Sequence, residues 1–175
     1  MRVYLVRHGQ CNSNVNKIYN YLDEDINETG VGQAEDLRKL IETIDYDVIY
    51  SSSLLRAKHT AEIINAKDKE IIVDDRLRER MHGSLQGKSI DLTDREDFWN
   101  YYSNTDYGGE ERIPDLFKRV ANFLDELKTK EYNTVLVVAH NGTAKAFYAY
   151  FNGIPEDGRF LDLGINNTEI KEYEL

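Results

Sequence analysis

Two short apolar runs, residues 3–6 and 134–139, each break off onto a histidine: the first onto Arg7, His8 and Gly9, the second onto His140, Asn141 and Gly142. Continuous apolar runs of this length read as strands buried on both faces, which requires helices on each side of the sheet they form. The intervening sequence supplies those helices. Asn27 is a helix N-cap, and Val31, Ala34, Leu37, Leu40, Ile41 and Ile44 follow at helical spacing. A second strand is expected over 46–52, a helix from Ser53 carrying Leu54, Leu55, Ala57, Ala61, Ile63 and Ile64, and a short strand over 71–73. Pro114 suits a helix start, and Ile113, Leu116, Phe117, Val120, Phe123, Leu124 and Leu127 form its apolar stripe. After the 134–139 strand come a helix over 143–150 and two strand-like segments, 160–165 and 168–173.

Strands alternating with helices imply an α/β fold, a three-layer α/β/α sandwich around a mostly parallel sheet. The 175 residues suit a single domain. Residues 81–112 interrupt the alternation, with glycines at 83, 87, 108 and 109 and an expected helix over 94–102, and read as a helical cap insertion. Long irregular excursions in compact domains are commonly functional. Residues 12–25 are polar and lack a clear period, and read as a loop with a short helical turn.

Ligands of such sheets bind beyond the carboxyl ends of the strands. Arg7, His8 and His140 lie there, Arg56 follows the second strand, and the third leads to Glu79. Arginine beside histidine at a strand end suits phosphate. A net charge of −10, from 32 acidic and 22 basic residues, argues against a nucleic-acid partner and for a small anion held in a local cationic cleft. With 41% hydrophobic and 31% charged residues and no long apolar stretch, no membrane association is expected; no leader segment is visible, and a cytoplasmic location is expected. Cys11 is the sole cysteine, which leaves no intramolecular disulfide and no cysteine-rich metal site. Asp23, Glu24 and Asp25 lack the ligand spacing of a calcium loop, and no metal or cofactor is expected.

Ordered blocks run through most of the chain: Arg7, His8 and Gly9 with Asn14; Asn27, Gly30, Gln33 and Ala34; Ser51 and Ser52 with Arg56, Ala57, Thr60 and Ala61; Leu77, Arg78 and Glu79 with Gly83 and Gly87; Gly108, Gly109 and Glu110; and His140, Asn141 and Gly142. Together they resemble the histidine phosphatase superfamily in its phosphoglycerate mutase-like branch. Gln10 and Cys11 depart from that pattern, standing where glutamate and threonine or serine are typical. The chain is also shorter than typical cofactor-dependent mutases.

The resemblance implies a metal-independent hydrolase of small phosphomonoesters. His8 would form a phosphohistidine, its other ring nitrogen held by a backbone carbonyl. Arg7, Arg56 and His140 would hold the phosphoryl oxygens, and Glu79 would move protons. Asn14, Gln10, Cys11, His82 and Asn141 are the candidate substrate contacts. A cofactor-dependent phosphoglycerate mutase and a non-catalytic phospho-ligand-binding module are the alternatives. His59 reads as surface or packing, Cys11 as a small packing residue more than a reactive thiol, and most of Phe98, Trp99, Tyr101 and Tyr102 as packing for the cap.

Overall fold

The computed structural model describes residues 1–175. Five strands, β1 (Arg2–Arg7), β2 (Val48–Ser51), β3 (Ile71–Val73), β4 (Thr134–Ala139) and β5 (Ile170–Glu174), form one sheet in the order β3-β2-β4-β1-β5. The first four are mutually parallel and β5 lies antiparallel on the β1 edge. The helices are α1 (Asn12–Asn16), α2 (Glu28–Ile41), α3 (Leu55–Ile64), α4 (Arg95–Phe98), α5 (Ile113–Leu127) and α6 (Asn141–Asn152).

Alternation along β4 divides the core. Leu136 and Val138 pack with Val6 and Ile49 against Ala34, Leu37 and Ile41 of α2 and Ala57, Ala61 and Ile64 of α3. Val135, Val137 and Ala139 face the other way with Val3 and Leu5, against the Leu116, Val120, Phe123 and Leu124 stripe of α5 and Phe147 of α6. This is why β4 is apolar from Val135 to Ala139: each of these residues belongs to one of two cores. Burying each Val, Leu, Ile or Phe of these two layers is worth about 1.5–3 kcal/mol, enough for the layers to lock the sheet. The Asn27 side chain caps α2 by accepting the Gly30 N–H at 2.9 Å, and Pro114 sits in the first turn of α5.

β1 and β4 are neighbours, yet β1 connects through α2 to β2 on one side while β4 connects through α6 to β5 on the other. Connections leaving adjacent parallel strands in opposite directions open a crevice at their carboxyl ends. Arg7, His8 and His140 occupy that crevice, and the His8 N–H continues the ladder to the Ala139 carbonyl at 3.0 Å.

Several expected elements come out differently. Residues 160–165 form turns, because several of their backbone groups bond side chains: the Phe160 and Leu161 carbonyls accept from Lys145, and Ile165 bonds Asn141 and Arg7. The last strand starts at Ile170, since Thr168 is in the left-handed region (φ 54°), where a strand cannot continue. The helix expected over 94–102 is only the four-residue α4. Asp94 caps it, and beyond Trp99 the backbone turns to bond Gly158 and Phe160. Conversely, α6 extends beyond 143–150 in both directions, and α3 starts two residues after Ser53.

Candidate active site

His8 is 1% exposed, and its Nδ1 lies 2.7 Å from the Gly9 carbonyl oxygen. A carbonyl can only accept, so Nδ1 carries the proton and Nε2 keeps its lone pair. Burial, with the Arg56 and Arg7 charges added, holds the His8 imidazole well below its ordinary value and therefore neutral. The loop that makes this bond is pinned from behind: the Gly9 N–H donates to Thr60 Oγ1 at 3.0 Å. A Cβ at Gly9 would run into the Gly30 backbone, so glycine is what lets α2 close against the loop.

Arg7 donates from Nη1 to the Ile165 carbonyl at 2.9 Å, and Arg56 from Nη1 to the Tyr21 carbonyl at 2.9 Å. The Nε of each guanidinium is buried without a partner. Burial pushes both groups down from their ordinary value, and the Glu79 carboxylate is the largest charge opposing it. No carboxylate lies within ion-pair distance of either arginine. A buried cation, Arg56, beside a half-buried one, Arg7, with no carboxylate paired to either, is costly by itself and suits a multiply charged anion.

The His140 ring centroid stands 5.1 Å from that of His8. Its Nε2 is 2.8 Å from Ser52 Oγ, which also accepts the Leu54 N–H at 3.3 Å. A Ser52 hydroxyl that donates to Nε2 leaves the His140 proton on Nδ1, which is buried and unpartnered. Burial, with Arg56 next, keeps this imidazole neutral as well.

Glu79 Oε1 accepts the Arg80 N–H at 2.8 Å and the Gly142 N–H at 2.9 Å, while Oε2 is 3.3 Å from the Gly142 nitrogen. A Cβ at Gly142 would strike Oε1, so this contact also requires glycine. The segment that carries Glu79 is irregular and is clamped by residues the sequence did not single out. Arg119 of α5 donates to the carbonyls of Arg76, Arg78 and Glu79, and Thr143 of α6 donates to that of Leu77. Arg119 is itself held by Glu111 at 2.7 Å.

These groups meet a cleft of about 290 Å³ whose lining includes Arg7, Asn14, Glu79, His82 and Asn141, with Trp99 the one cap aromatic among those considered that reaches it. His8, Arg56 and His140 are buried behind it. Asn14 accepts the Cys11 N–H at 3.1 Å through Oδ1, and Asn141 accepts the Ile165 N–H at 3.0 Å, so each turns its amide NH2 towards other partners. His82 packs 4.8 Å from the Tyr19 ring, and burial beside Arg80 brings its imidazole down to about 3.

Gln10 and Cys11 stand away from the cleft lining. Gln10 Oε1 is bonded to Asn27, and the Cys11 thiol lies between Asn14 and Asn20, pushed up to about 11 by burial and by Glu24. Asn167 is a contact the sequence did not suggest: its Nδ2 donates to the His8 carbonyl at 2.8 Å. It comes from the loop after α6 and carries no periodic or motif signal. A larger cavity of about 340 Å³, between Arg80, Asp97, Asn104, Asp106 and Arg112, contains none of the strand-end residues. Arg7, Glu79 and Asn141 line the smaller one.

Three neutral, buried imidazoles have a consequence for stability. His8, His82 and His140 all have folded values below their ordinary 6.5, so the unfolded chain binds more protons once the pH falls below that value. Each group then removes about 1.4 kcal/mol of stability per pH unit until its folded value is reached. Chemical denaturation at a series of pH values should show unfolding free energy dropping steeply between pH 6.5 and 5. A flat profile across that interval would mean that the imidazoles protonate freely in the folded state.

A mostly parallel sheet with two strand-end histidines, two arginines without carboxylate partners and a carboxylate at its switch point defines a phosphoryl-handling enzyme of the α/β class. The sequence model of the histidine phosphatase superfamily (branch 1) matches residues 3–175, and the chain belongs to that family and is a phosphatase. It is 35% identical to a putative phosphoserine phosphatase 2 of Hydrogenobacter thermophilus, over 99% of this chain and 89% of that protein. It is also 31% identical to a metal-independent phosphoserine phosphatase of Arabidopsis thaliana, over 98% of this chain and 77% of the relative. Among solved structures, YhfR of Bacillus stearothermophilus superposes with a TM-score of 0.88 at 28% identity, over 99% of this chain and 91% of that one.

No helix is long and apolar enough to cross a membrane.

Proposed function

We propose that the protein hydrolyses small phosphomonoesters in two steps through a phosphohistidine on His8, without a metal ion. The observation that carries this reading is the bond from His8 Nδ1 to the Gly9 carbonyl at 2.7 Å, in a buried and neutral imidazole flanked by two arginines without carboxylate partners.

In the first step, His8 Nε2 attacks phosphorus and the bond to the leaving oxygen breaks. A neutral imidazole can do this without first shedding a proton, and the proton on Nδ1 stays with the Gly9 carbonyl as positive charge develops on the ring. Arg7 and Arg56 neutralise the oxygens of the migrating group with fixed forks, and His140 adds its Nδ1–H. Glu79 gives the leaving oxygen a proton. Oε2 is the oxygen for this transfer, because Oε1 already accepts two backbone N–H groups. In the second step, Glu79 takes a proton from water, the oxygen of that water attacks phosphorus, and the P–N bond breaks to release phosphate and neutral His8. Asn14, Asn141 and His82, on the cleft wall, are the substrate contacts in this reading, and Gln10 and Cys11 support the loop.

The test is a panel of phosphomonoesters assayed with a chelator present, measuring released phosphate. Turnover is expected to survive chelation and to release one phosphate per ester consumed. Loss of activity restored by a divalent ion would overturn the metal-free mechanism. Isomerisation of a phosphoglycerate dependent on a bisphosphoglycerate primer, without net phosphate release, would make the enzyme a mutase instead.

A further inference from the structure

Lys145 of α6 is 0% exposed, has no carboxylate partner and takes no part in the chemistry at phosphorus. Its Nζ donates to the Phe160 carbonyl at 2.6 Å and to the Leu161 carbonyl at 2.5 Å, and it stands 5.0 Å from the centroid of the Trp99 ring. An apolar side chain would fill the same helix face without the cost of burying a charge. Packing therefore does not account for an ammonium here. What the ammonium adds is its grip on two carbonyls of the 160–165 turn.

That turn reaches the site. Asn141 lies about one helical turn before Lys145, on the same face of α6, and its Oδ1 accepts the Ile165 N–H at 3.0 Å. One helix face thus holds both ends of the turn. Between them, the Leu163 N–H returns to the Phe160 carbonyl at 3.2 Å, and the Phe160 N–H donates to the Trp99 carbonyl at 2.9 Å. The approach at the far end is close, since a Cβ at Gly164 would strike Asn141 Oδ1. There the Ile165 carbonyl accepts from Arg7 Nη1 at 2.9 Å, and two residues on, Asn167 donates to the His8 carbonyl at 2.8 Å. No other hydrogen bond fixes the Arg7 guanidinium, whose Nε is unpartnered, so a displaced turn carries Arg7 with it.

We infer that Lys145 is a positioning residue for phosphoryl binding: its ammonium fixes the 160–165 turn and, through the Ile165 carbonyl, aims the Arg7 guanidinium at the phosphoryl oxygens. The inference rests on the phosphatase reading, which gives Arg7 that task. Burial brings the ammonium down to about 8; of the charged groups facing it, Glu79 and Asp162 favour the charged form, and Arg95 and Arg7 oppose it. Below that value the bonds to Phe160 and Leu161 are charge-assisted. Above it a neutral amine holds the same carbonyls more weakly.

Calorimetric titration with inorganic phosphate tests this. Lys145→Met keeps the length of the side chain and removes its donors, and should weaken phosphate about tenfold or more, as displacing a binding group by about 1 Å implies. In an Arg7→Met background the same change should cost less than about twofold, because both substitutions act on one arm. A merely structural lysine would cost as much in either background. Lys145→Arg, which keeps charge and donors, should retain most of the affinity. The wild type supplies a second reading should Lys145→Met fail to fold: its phosphate affinity should fall about three- to tenfold as the pH rises through about 8, whereas that of Lys145→Arg should not, a comparison that cancels the ionisation of phosphate itself. Unfolding would not explain that fall. Between about 8 and the ordinary 10.5 the unfolded chain binds the extra proton, so this lysine's contribution to stability rises with pH. Undiminished affinity in Lys145→Met, an equal loss in the Arg7→Met background, or a pH response shared by Lys145→Arg overturns the inference. His8→Ala separates this result from the phosphatase reading: if that variant still turns over, the reading itself fails, whereas a dead His8→Ala beside a Lys145→Met of wild-type phosphate affinity sinks only the role of Lys145.

Discussion

Replacing His8 with alanine is expected to abolish turnover of every phosphomonoester, by on the order of 10⁴-fold or more in kcat, while the protein remains folded. The size follows from the division of labour in the site. Arg7, Arg56 and His140 can stabilise charge, but none of them offers a lone pair in the right place: guanidinium has none to give, and His140 commits Nε2 to Ser52. Water would have to attack directly in a cavity built around an imidazole. The fold should tolerate the change, because His8 lies at the end of β1, its backbone N–H remains bonded to Ala139, and the Gly9 loop is held independently through Thr60. Circular dichroism and retained affinity for inorganic phosphate separate loss of the nucleophile from loss of the site. A variant that binds phosphate and keeps more than a few per cent of wild-type kcat would show that the nucleophile lies elsewhere.

Glu79→Gln is expected to give the second-largest loss, about 10²–10⁴-fold for alkyl phosphates. Glutamine keeps the carbonyl oxygen that accepts the Arg80 and Gly142 N–H groups, so the side chain should stay in place while its capacity to donate and accept the transferred proton is lost. The proton matters most when the leaving oxygen is strongly basic. A nitrophenyl ester, whose phenolate leaves unaided, should therefore phosphorylate His8 nearly as fast in the variant as in the wild type. Single-turnover measurements on both esters make the comparison. An equal loss for alkyl and nitrophenyl esters would remove Glu79 from the acid role and make it a positioning group for α6.

The residues that were legible in the sequence are those whose role follows from local pattern. Residues 134–139 announce a doubly buried strand because each alternate side chain enters a different core, and the His140 that follows can then only lie at the sheet rim. Asn27 and Pro114 mark helix starts through backbone chemistry that acts within one turn. Glu79 follows the third strand towards the cleft and falls in a resemblance block, but its own backbone gives no periodic signal at all. What holds it is Arg119, forty residues away in sequence, through carbonyls that any residue type supplies.

The misread segments share one physical cause. Residues 160–165 have strand-like composition, but Lys145, Asn141 and Arg7 satisfy their backbone groups, so no ladder is needed. A buried lysine is costly, and this one, brought down to about 8 by burial, pairs with two carbonyls and lies 5.0 Å from the Trp99 ring. Its sequence neighbours read only as a helix face. Likewise Phe98 and Trp99 are buried as packing predicts, whereas Tyr102 is 58% exposed because α4 ends before the i, i+4 relation can be used. Asn167 and Ser52 act through single hydrogen bonds to the two histidines, a relation that exists only once the strands are side by side.

The most direct measurement is a rapid quench of the enzyme with an ester labelled in its phosphoryl group, stopped in base, where phosphohistidine survives, and followed by peptide mapping. The account predicts a label that is stable in base, labile in acid, located on the peptide containing His8, and accumulated to a higher level in Glu79→Gln with a nitrophenyl ester, because hydrolysis of the intermediate is then slowed. Full turnover with no covalent label at any time, or a label on a residue other than His8, would contradict it.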